Sequence, residues 1–308
     1  MSDRSRSCSI EYSVTNRDYL ILRRIDFECR RLIDLLSRAA PRRGCAELIP
    51  KTASEICNTN HGQPRHLFHH RRFARLARAF ARAAKPAMFL ELKSFLNAAE
   101  VGKLTELSRV VKFVDGRISN PANLTKDNLQ ADASDPRYAE SVQIVSDAFN
   151  RSEAFRDFAF PRRLAPPLLC RYEPNMKYGA HADAALLMVE GRMLHSDLSA
   201  TAFISDPMSY QGGELVIHLG TRPVVVKGAP GDLIVYPSTM LHEVRPVRSG
   251  TRLVSITFIE SWISDEHQRT QLYELNEVAA LEGLTMKWEN RIRLEVVRQN
   301  LMRMWSKS

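Results

Sequence analysis

His181 and Asp183 stand two residues apart in Tyr-Gly-Ala-His-Ala-Asp, residues 178–183. His242 lies 59 residues beyond Asp183, and Arg252 comes ten residues after it in Ser-Gly-Thr-Arg. Two imidazoles and one carboxylate can hold a ferrous ion on one face and leave the opposite positions open, the donor set of non-heme iron oxygenases. In a strand, residues i and i+2 project from the same face. His181 and Asp183 therefore reach one metal if residues 178–183 are extended or lead into a turn. His242 must come from a different strand. A turn at Arg248-Ser249-Gly250 is expected to separate two antiparallel strands, doubling the chain back so that Arg252 approaches the metal. A guanidinium there is suited to grip a carboxylate through two parallel hydrogen bonds. A lone His-x-Asp is more often a surface turn. The later histidine and arginine, each in a strand-like segment, make His181, Asp183 and His242 a candidate metal centre. The presence of Asp183 argues against a halogenase-like site, which needs that coordination position vacant for a halide.

Such a convergence needs a sheet. Short strand-like runs separated by turn signals occur at Leu168–Tyr172, Ala200–Ser205, Gly213–His218, Pro223–Lys227, Asp232–Tyr236 and Arg252–Glu260. This spacing predicts a β-sandwich or barrel. With the two histidines in different strands, the chain reads as an α+β protein with a mainly β core, a double-stranded β-helix (jelly roll) with flanking N- and C-terminal helices. Phe89–Phe95 is expected to open as a strand. A helix should follow, with Asn97 as N-cap and Glu100 three residues on. Asp115–Ala131 reads as loop, Ser134–Asn150 as a helix begun by Asp135-Pro136, and Pro161–Pro167 as a break before the sheet. From about residue 264 the pattern turns helical. Glu266–Leu281 and Trp288–Trp305 carry i, i+3, i+4 apolar spacing, for example Leu294, Val297, Leu301 and Met304. These helices suit a layer over the sheet or a homodimer contact. Tyr178 reads as a wall of the site or a substrate contact. His195, His218 and His267 have no evident partner and read as surface or structural.

The 308 residues suffice for one large domain or two smaller ones, and 44% hydrophobic content supports a sizeable core. No apolar run approaches the ~20 residues of a membrane span. Residues 1–10 are polar and charged, unlike a secretory signal. Five cysteines, an odd number without metal-like spacing, point to a reducing, cytoplasmic setting. Charge is unevenly placed. Residues 1–87 hold 16 Arg and 2 Lys against 8 Asp and Glu, a net +10, whereas the whole chain is +9. The remainder is thus close to neutral, and a boundary is expected near Pro86-Ala87-Met88: a basic arginine-rich extension over 1–87 and the chemical domain over 88–308. Within the extension, Asp18–Ala40 and His66–Lys85 read as helices. The second sets Phe73, Leu76, Ala77 and Phe80 among arginines. Such a helix can meet phosphates or an anionic membrane, or be a plain solvated arm. His66, His69 and His70 lack a carboxylate partner and read as surface.

Beyond these residue-level readings, the sequence resembles the PKHD-type (prolyl/lysyl hydroxylase domain) Fe(II)/2-oxoglutarate dioxygenases of bacteria. The resemblance rests on Val114-Asp115-Gly116-Arg117, Lys126-Asp127-Asn128-Leu129-Gln130, Arg171-Tyr172 through Asp183, and Asp197-Leu198-Ser199-Ala200-Thr201. It continues through Ser205-Asp206-Pro207, Gly212-Gly213-Glu214-Leu215-Val216-Ile217, Gly231-Asp232-Leu233 to Ser238, Leu241-His242 and Leu301-Met302-Arg303-Met304-Trp305. It spans about Met88 to the end. Ala184 replaces the usual Asn, Asn120-Pro121 a glycine-containing turn, and Leu194-His195-Ser196 the usual Arg-Thr before Asp-Leu-Ser.

The resemblance implies iron held by His181, Asp183 and His242, with Arg252 on the far carboxylate of 2-oxoglutarate. Tyr172 would hydrogen-bond that cosubstrate, though a half-buried strand tyrosine is an equal reading. It further implies oxygen as co-reactant, succinate and carbon dioxide as co-products, ascorbate as reductant, and hydroxylation of a small-molecule or peptide substrate. Since family members usually begin at a residue matching Met88, an upstream start assignment is one reading of residues 1–87. The rival class is a non-catalytic jelly-roll protein that binds iron or a small molecule and carries a basic nucleic-acid-contacting arm. Nucleic-acid demethylation shares the His-x-Asp…His pattern but usually adds a second arginine soon after the first, where this chain has Ile256, Thr257 and Phe258.

Overall fold

The computed structural model describes residues 88–121, 123–282 and 285–306. The helices expected at Asp18–Ala40 and His66–Lys85, with His66, His69 and His70, lie outside the described residues.

The first strand is β1 (Leu90–Leu92). Helix α1 (Ala98–Val110) then begins as its residues dictate. The Asn97 side chain accepts from the Glu100 N–H at 3.0 Å, and the Glu100 carboxylate accepts from the Asn97 N–H at 2.8 Å. Residues 115–131 are not the uninterrupted loop their polarity suggests. They form the end of β2 (Phe113–Asp115), a 3-10 turn over Gly116–Ser119, β3 (Lys126–Asp127) and β4 (Leu129–Ala131). Strands this short carry too few alternations to show in sequence. Helix α2 (Pro136–Arg151) is capped by Asp135, as its Asp-Pro start predicts. A helix not expected, α3 (Glu153–Ala159), follows, and β5 (Pro161–Leu164) forms where the prolines suggested a break. Pro161 heads that strand, where its missing N–H costs little, and β5 pairs on one side only, with the last strand.

The sheet-forming half runs β6 (Leu168–Tyr172), β7 (Lys177–His181), β8 (Leu186–Val189), β9 (Arg192–His195), β10 (Leu198–Phe203) and β11 (Gln211–Gly212). It continues with β12 (Leu215–Leu219), β13 (Arg222–Val226), β14 (Leu233–Pro237), β15 (His242–Val244), β16 (Val247–Ser249) and β17 (Arg252–Ser261). Helices α4 (Glu266–Glu282) and α5 (Trp288–Trp305) close the chain, as their periodicity predicts. Among the described residues no helix is long and apolar enough to cross a membrane.

An eight-stranded antiparallel sheet has the order β1-β14-β10-β17-β6-β4-β2, with β5 on β17. A five-stranded antiparallel sheet has the order β13-β12-β15-β7-β3. The large sheet is apolar on both faces, and alternation sends neighbouring residues to different cores. Leu169, Leu198, Ala200, Leu233, Val235, Leu253 and Ile259 join Leu104, Val145, Phe149, Phe155 and Phe158 of α1–α3. Cys170, Tyr172, Phe203, Ile234, Tyr236 and Val254 instead meet Leu215, Ile217 and Val244 of the small sheet. The result is the expected double-stranded β-helix, one face of its large sheet covered by helices. In the helix-side core, Phe149 stands 4.8 Å from Phe95 and 4.7 Å from Phe155, centroid to centroid. Burying one such ring stabilises by about 1.5–3 kcal/mol.

Candidate metal and cosubstrate site

The small sheet places both histidines by register. His181 ends β7, His242 begins β15, and the two are directly paired across the antiparallel ladder. Their rings lie 4.3 Å apart, centroid to centroid. Asp183 lies just past the end of β7, tied down by its N–H to the Ser238 carbonyl at 3.3 Å. One carboxylate oxygen, Oδ1, is 3.7 Å from His181 Nε2, and the other, Oδ2, is 3.7 Å from His242 Nε2. Ligand atoms of the three residues all lie within 4.8 Å of one another, and no other such cluster of three exists among the described residues.

The ring orientations are fixed. His181 Nδ1 is 2.7 Å from the Gly179 carbonyl and His242 Nδ1 is 2.9 Å from the Met240 carbonyl. A carbonyl can only accept, so each Nδ1 carries the proton and each Nε2 turns a lone pair toward Asp183. This is the arrangement metal-bound histidines need, with the far nitrogen anchored. Burial pulls the His181 pKa below its ordinary value, and the neighbouring His242 adds to the effect. The neutral, ligating form is therefore favoured. Tyr178 lies flat against His181, ring centroids 3.6 Å apart at 16°, and its hydroxyl accepts from Asn120 Nδ2 at 3.0 Å.

Arg252 comes from the other sheet. It begins β17, opposite Tyr172 of β6. The path from His242 is not the hairpin expected from the turn at 248–250. The intervening β16 pairs with β11, and β15 and β17 belong to different sheets, so the chain crosses over instead of doubling back. Arg252 is 2% exposed. Its guanidinium sits 4.9 Å from the Tyr172 ring centroid, and its charge opposes the rise that burial causes in the Tyr210 phenol pKa. Its Nε has no partner, and no carboxylate of the described residues pairs with it. Gly213, at φ 65°, leaves room for this side chain: a Cβ there would stand 3.0 Å from Arg252 Cδ. A buried cation without a counter-ion is costly, so the site is incomplete as a protein alone and suits a bound anion. Tyr172 is buried beside it; burial raises its phenol pKa strongly, against the opposing pull of the Arg252 charge.

Sequence reasoning missed several members of the site. Ser199 Oγ donates to Asp183 Oδ2 at 2.5 Å and stands 2.7 Å from Ser238 Oγ, which is 2.8 Å from Ser196 Oγ. Lys126 is buried, donates to Ser119 Oγ at 2.6 Å and lies 5.3 Å from the Tyr178 ring centroid. The available signal was polar alternation in β10, where Ser199 and Thr201 interrupt an otherwise apolar strand. His195 does have a partner, contrary to expectation: its Nδ1 is 2.8 Å from Asp197 Oδ1, a structural pairing.

Comparison with known proteins places this geometry. Residues 167–260 match the model of the 2OG-Fe(II) oxygenase superfamily. The chain is similar to a PKHD-type hydroxylase of Sphingopyxis alaskensis, 48% identical over 216 residues, covering 70% of this chain and 98% of the relative. It is also similar to the PKHD-type hydroxylase YbiX of Escherichia coli, 37% identical over 223 residues, covering 71% and 99%. Among solved structures, a Trichoplax adhaerens prolyl hydroxylase in complex with a hypoxia inducible factor peptide fragment aligns with a TM-score of 0.47 at 12% identity, over 68% of this chain and 97% of that one.

Proposed function

The chain belongs to the PKHD-type hydroxylase family of 2OG-Fe(II) oxygenases, and from that premise we propose that it hydroxylates a small-molecule or peptide substrate while 2-oxoglutarate is converted to succinate and carbon dioxide. The family implies Fe(II), 2-oxoglutarate and oxygen. The residues present fit them: two imidazoles whose Nδ1 atoms are anchored on backbone carbonyls, one carboxylate and, nearby, a buried guanidinium without a counter-ion. The non-catalytic alternative is disfavoured by a family of hydroxylases. The relative from Sphingopyxis is matched over nearly its whole length by 216 residues of this chain, which supports housing the reaction in residues 88–308 with 1–87 as an extension.

Each side chain has a role in this reading. His181, Asp183 and His242 hold the iron on one face. Arg252 binds the far carboxylate of 2-oxoglutarate in a dry pocket, where the pairing is stronger than in water. The Tyr172 ring backs the guanidinium, and its hydroxyl is available to the cosubstrate. Tyr178 keeps the His181 ring from turning and walls the substrate side. The chemistry supplied when they are bound would be activation of molecular oxygen, the oxidant: 2-oxoglutarate gives up two electrons as it loses carbon dioxide, one oxygen atom ends in succinate and the other is inserted in a substrate C–H bond. The chain contributes position, charge complementarity and exclusion of water. Ascorbate is the proposed reductant that keeps the metal ferrous.

The observation that carries the reading is Arg252, a fully buried cation left without a carboxylate. Anaerobic calorimetry of the full chain tests it. Iron followed by 2-oxoglutarate should each bind once, and Arg252→Lys should weaken the second binding about tenfold or more while sparing the first. Equal cosubstrate affinity in parent and variant would remove Arg252 from the role.

A further inference from the structure

The three serines beside Asp183 form a directed chain. Ser196, Ser199 and Ser238 are all buried. An ionised carboxylate only accepts, so the single Ser199 proton goes to Asp183 Oδ2. Ser199 can then only accept from Ser238, and Ser238, its proton committed, only from Ser196. The order Ser196→Ser238→Ser199→Asp183 is thus forced, and donors aligned this way strengthen one another.

The far end of the chain is also fixed in place. The Ser238 N–H donates to the Asp197 carbonyl at 3.1 Å, while the Ser238 carbonyl accepts the Asp183 N–H. The Ser196 N–H donates to the Ala185 carbonyl at 2.9 Å. The same short segments therefore hold both the backbone and the carboxylate of Asp183. Asp183 Oδ1 receives no hydrogen bond of this kind; it stands 3.7 Å from His181 Nε2, as Oδ2 does from His242 Nε2, so the Ser199 bond is what distinguishes the two oxygens.

On the reading of a metal at this site, we infer that Ser199, supported by Ser238 and Ser196, is a positioning residue that makes Asp183 a one-oxygen ligand. With Oδ2 sharing its charge with a hydrogen bond at 2.5 Å, the unengaged Oδ1 is the stronger donor to an ion, although both oxygens lie 3.7 Å from a histidine Nε2. A six-coordinate ion held there would then take three protein atoms. Of its other positions, two remain for a chelating 2-oxo acid and one for a further small ligand. A two-oxygen aspartate would fill that last position.

The test uses Mn(II), which does not turn over, in the full-length protein with 2-oxoglutarate present. Mn(II) affinity is measured by its electron paramagnetic resonance signal, and exchangeable waters on the bound ion by 17O-water line broadening. The parent should bind one ion with one water. Ser199→Ala should weaken binding about tenfold to a hundredfold and lose that water. Ser238→Ala and Ser196→Ala should weaken binding progressively less, because each acts through the next hydroxyl. Thermal melts of the metal-free proteins give the structural readout, and the affinity series must not follow it. If Ser199→Ala fails to fold, the Ser238→Ala and Ser196→Ala order decides. Equal affinity and equal water count across the series would overturn the role of the serines. Failure of the parent to bind Mn(II) would overturn the metal reading beneath it.

Discussion

The two faces of the eight-stranded sheet are built from the same strands and do different work. Toward the helices, β10 presents Leu198, Ala200 and Ala202, and β17 presents Leu253 and Ile259, all apolar and buried. Toward the small sheet, β10 turns Ser199 and β17 turns Arg252, and the apolar residues between them are fewer. A period of two separates them, so one residue of register decides whether a side chain stabilises or reacts. A site can then keep buried polar groups, which are costly, because the opposite face, interrupted in β17 by Ser255 and Thr257, is otherwise mostly apolar and supplies stability.

The most severe test of that division is Asp183→Ala. 2-Oxoglutarate turnover should fall to background, since no other carboxylate joins the two histidines among the described residues. The melting temperature of the metal-free protein should move by only a few degrees. Near-parental turnover would remove the metal assignment. Phe149→Ala reverses the pattern. Removing a ring wedged between Phe95 and Phe155 should cost about 3–5 kcal/mol in chemical denaturation. Protein that remains folded should bind metal with parental affinity; a parallel loss of metal binding would mean the faces are coupled.

Arg252→Leu separates the two demands within one residue. Cosubstrate affinity should fall by about 2–5 kcal/mol, as when one partner of a buried, hydrogen-bonded charge pair is removed. Yet the apo protein should be as stable as the parent or more so, by about 1–4 kcal/mol, because an unpaired buried cation has gone. Denaturation midpoints and 2-oxoglutarate binding, measured on the same preparations, check both signs. A large stability loss would show that the guanidinium serves the fold.

What the sequence discloses follows the same division. Trp288–Trp305 matches its helix because long apolar periodicity survives in the residue order, and Leu168–Tyr172 matches its strand residue for residue because Pro166-Pro167 and Glu173-Pro174 bound it. His181, Asp183 and His242 are legible as a group because few residue types ligate metals and their spacing suits strands. The route to Arg252 is not legible. Local turn signals at 248–250 favour a hairpin, and only long-range pairing of β17 with β6 and β10 overrules them. Short strands such as β3 and β15 are likewise set by their partners. Ser199 is overlooked for another reason: a serine in a buried strand has meaning only once its hydrogen-bond partner, 16 residues back, is known.

The smallest effect concerns the acids that fix the entry to α2 on the helix side. Asp132 is held at a pKa of about 2, below the ordinary 3.8, chiefly by Lys112 Nζ at 2.7 Å and then by the N–H and hydroxyl of Ser134 at 3.0 and 2.8 Å. The unfolded chain takes up this proton near pH 3.8, whereas the folded chain resists until about pH 2. Its contribution is therefore whole above that ordinary value and is lost as pH falls toward the lower one. Lys112→Met removes the largest cause and raises the folded-state value, so the acid limb of the stability curve should become shallower between those two pKa values. Metal affinity at neutral pH should not change, because neither residue touches the triad or the serines behind it. An acid limb identical to the parent's would show that Lys112 does not set the Asp132 pKa, and a change in metal affinity would show that this surface reaches through the sheet to the reactive side.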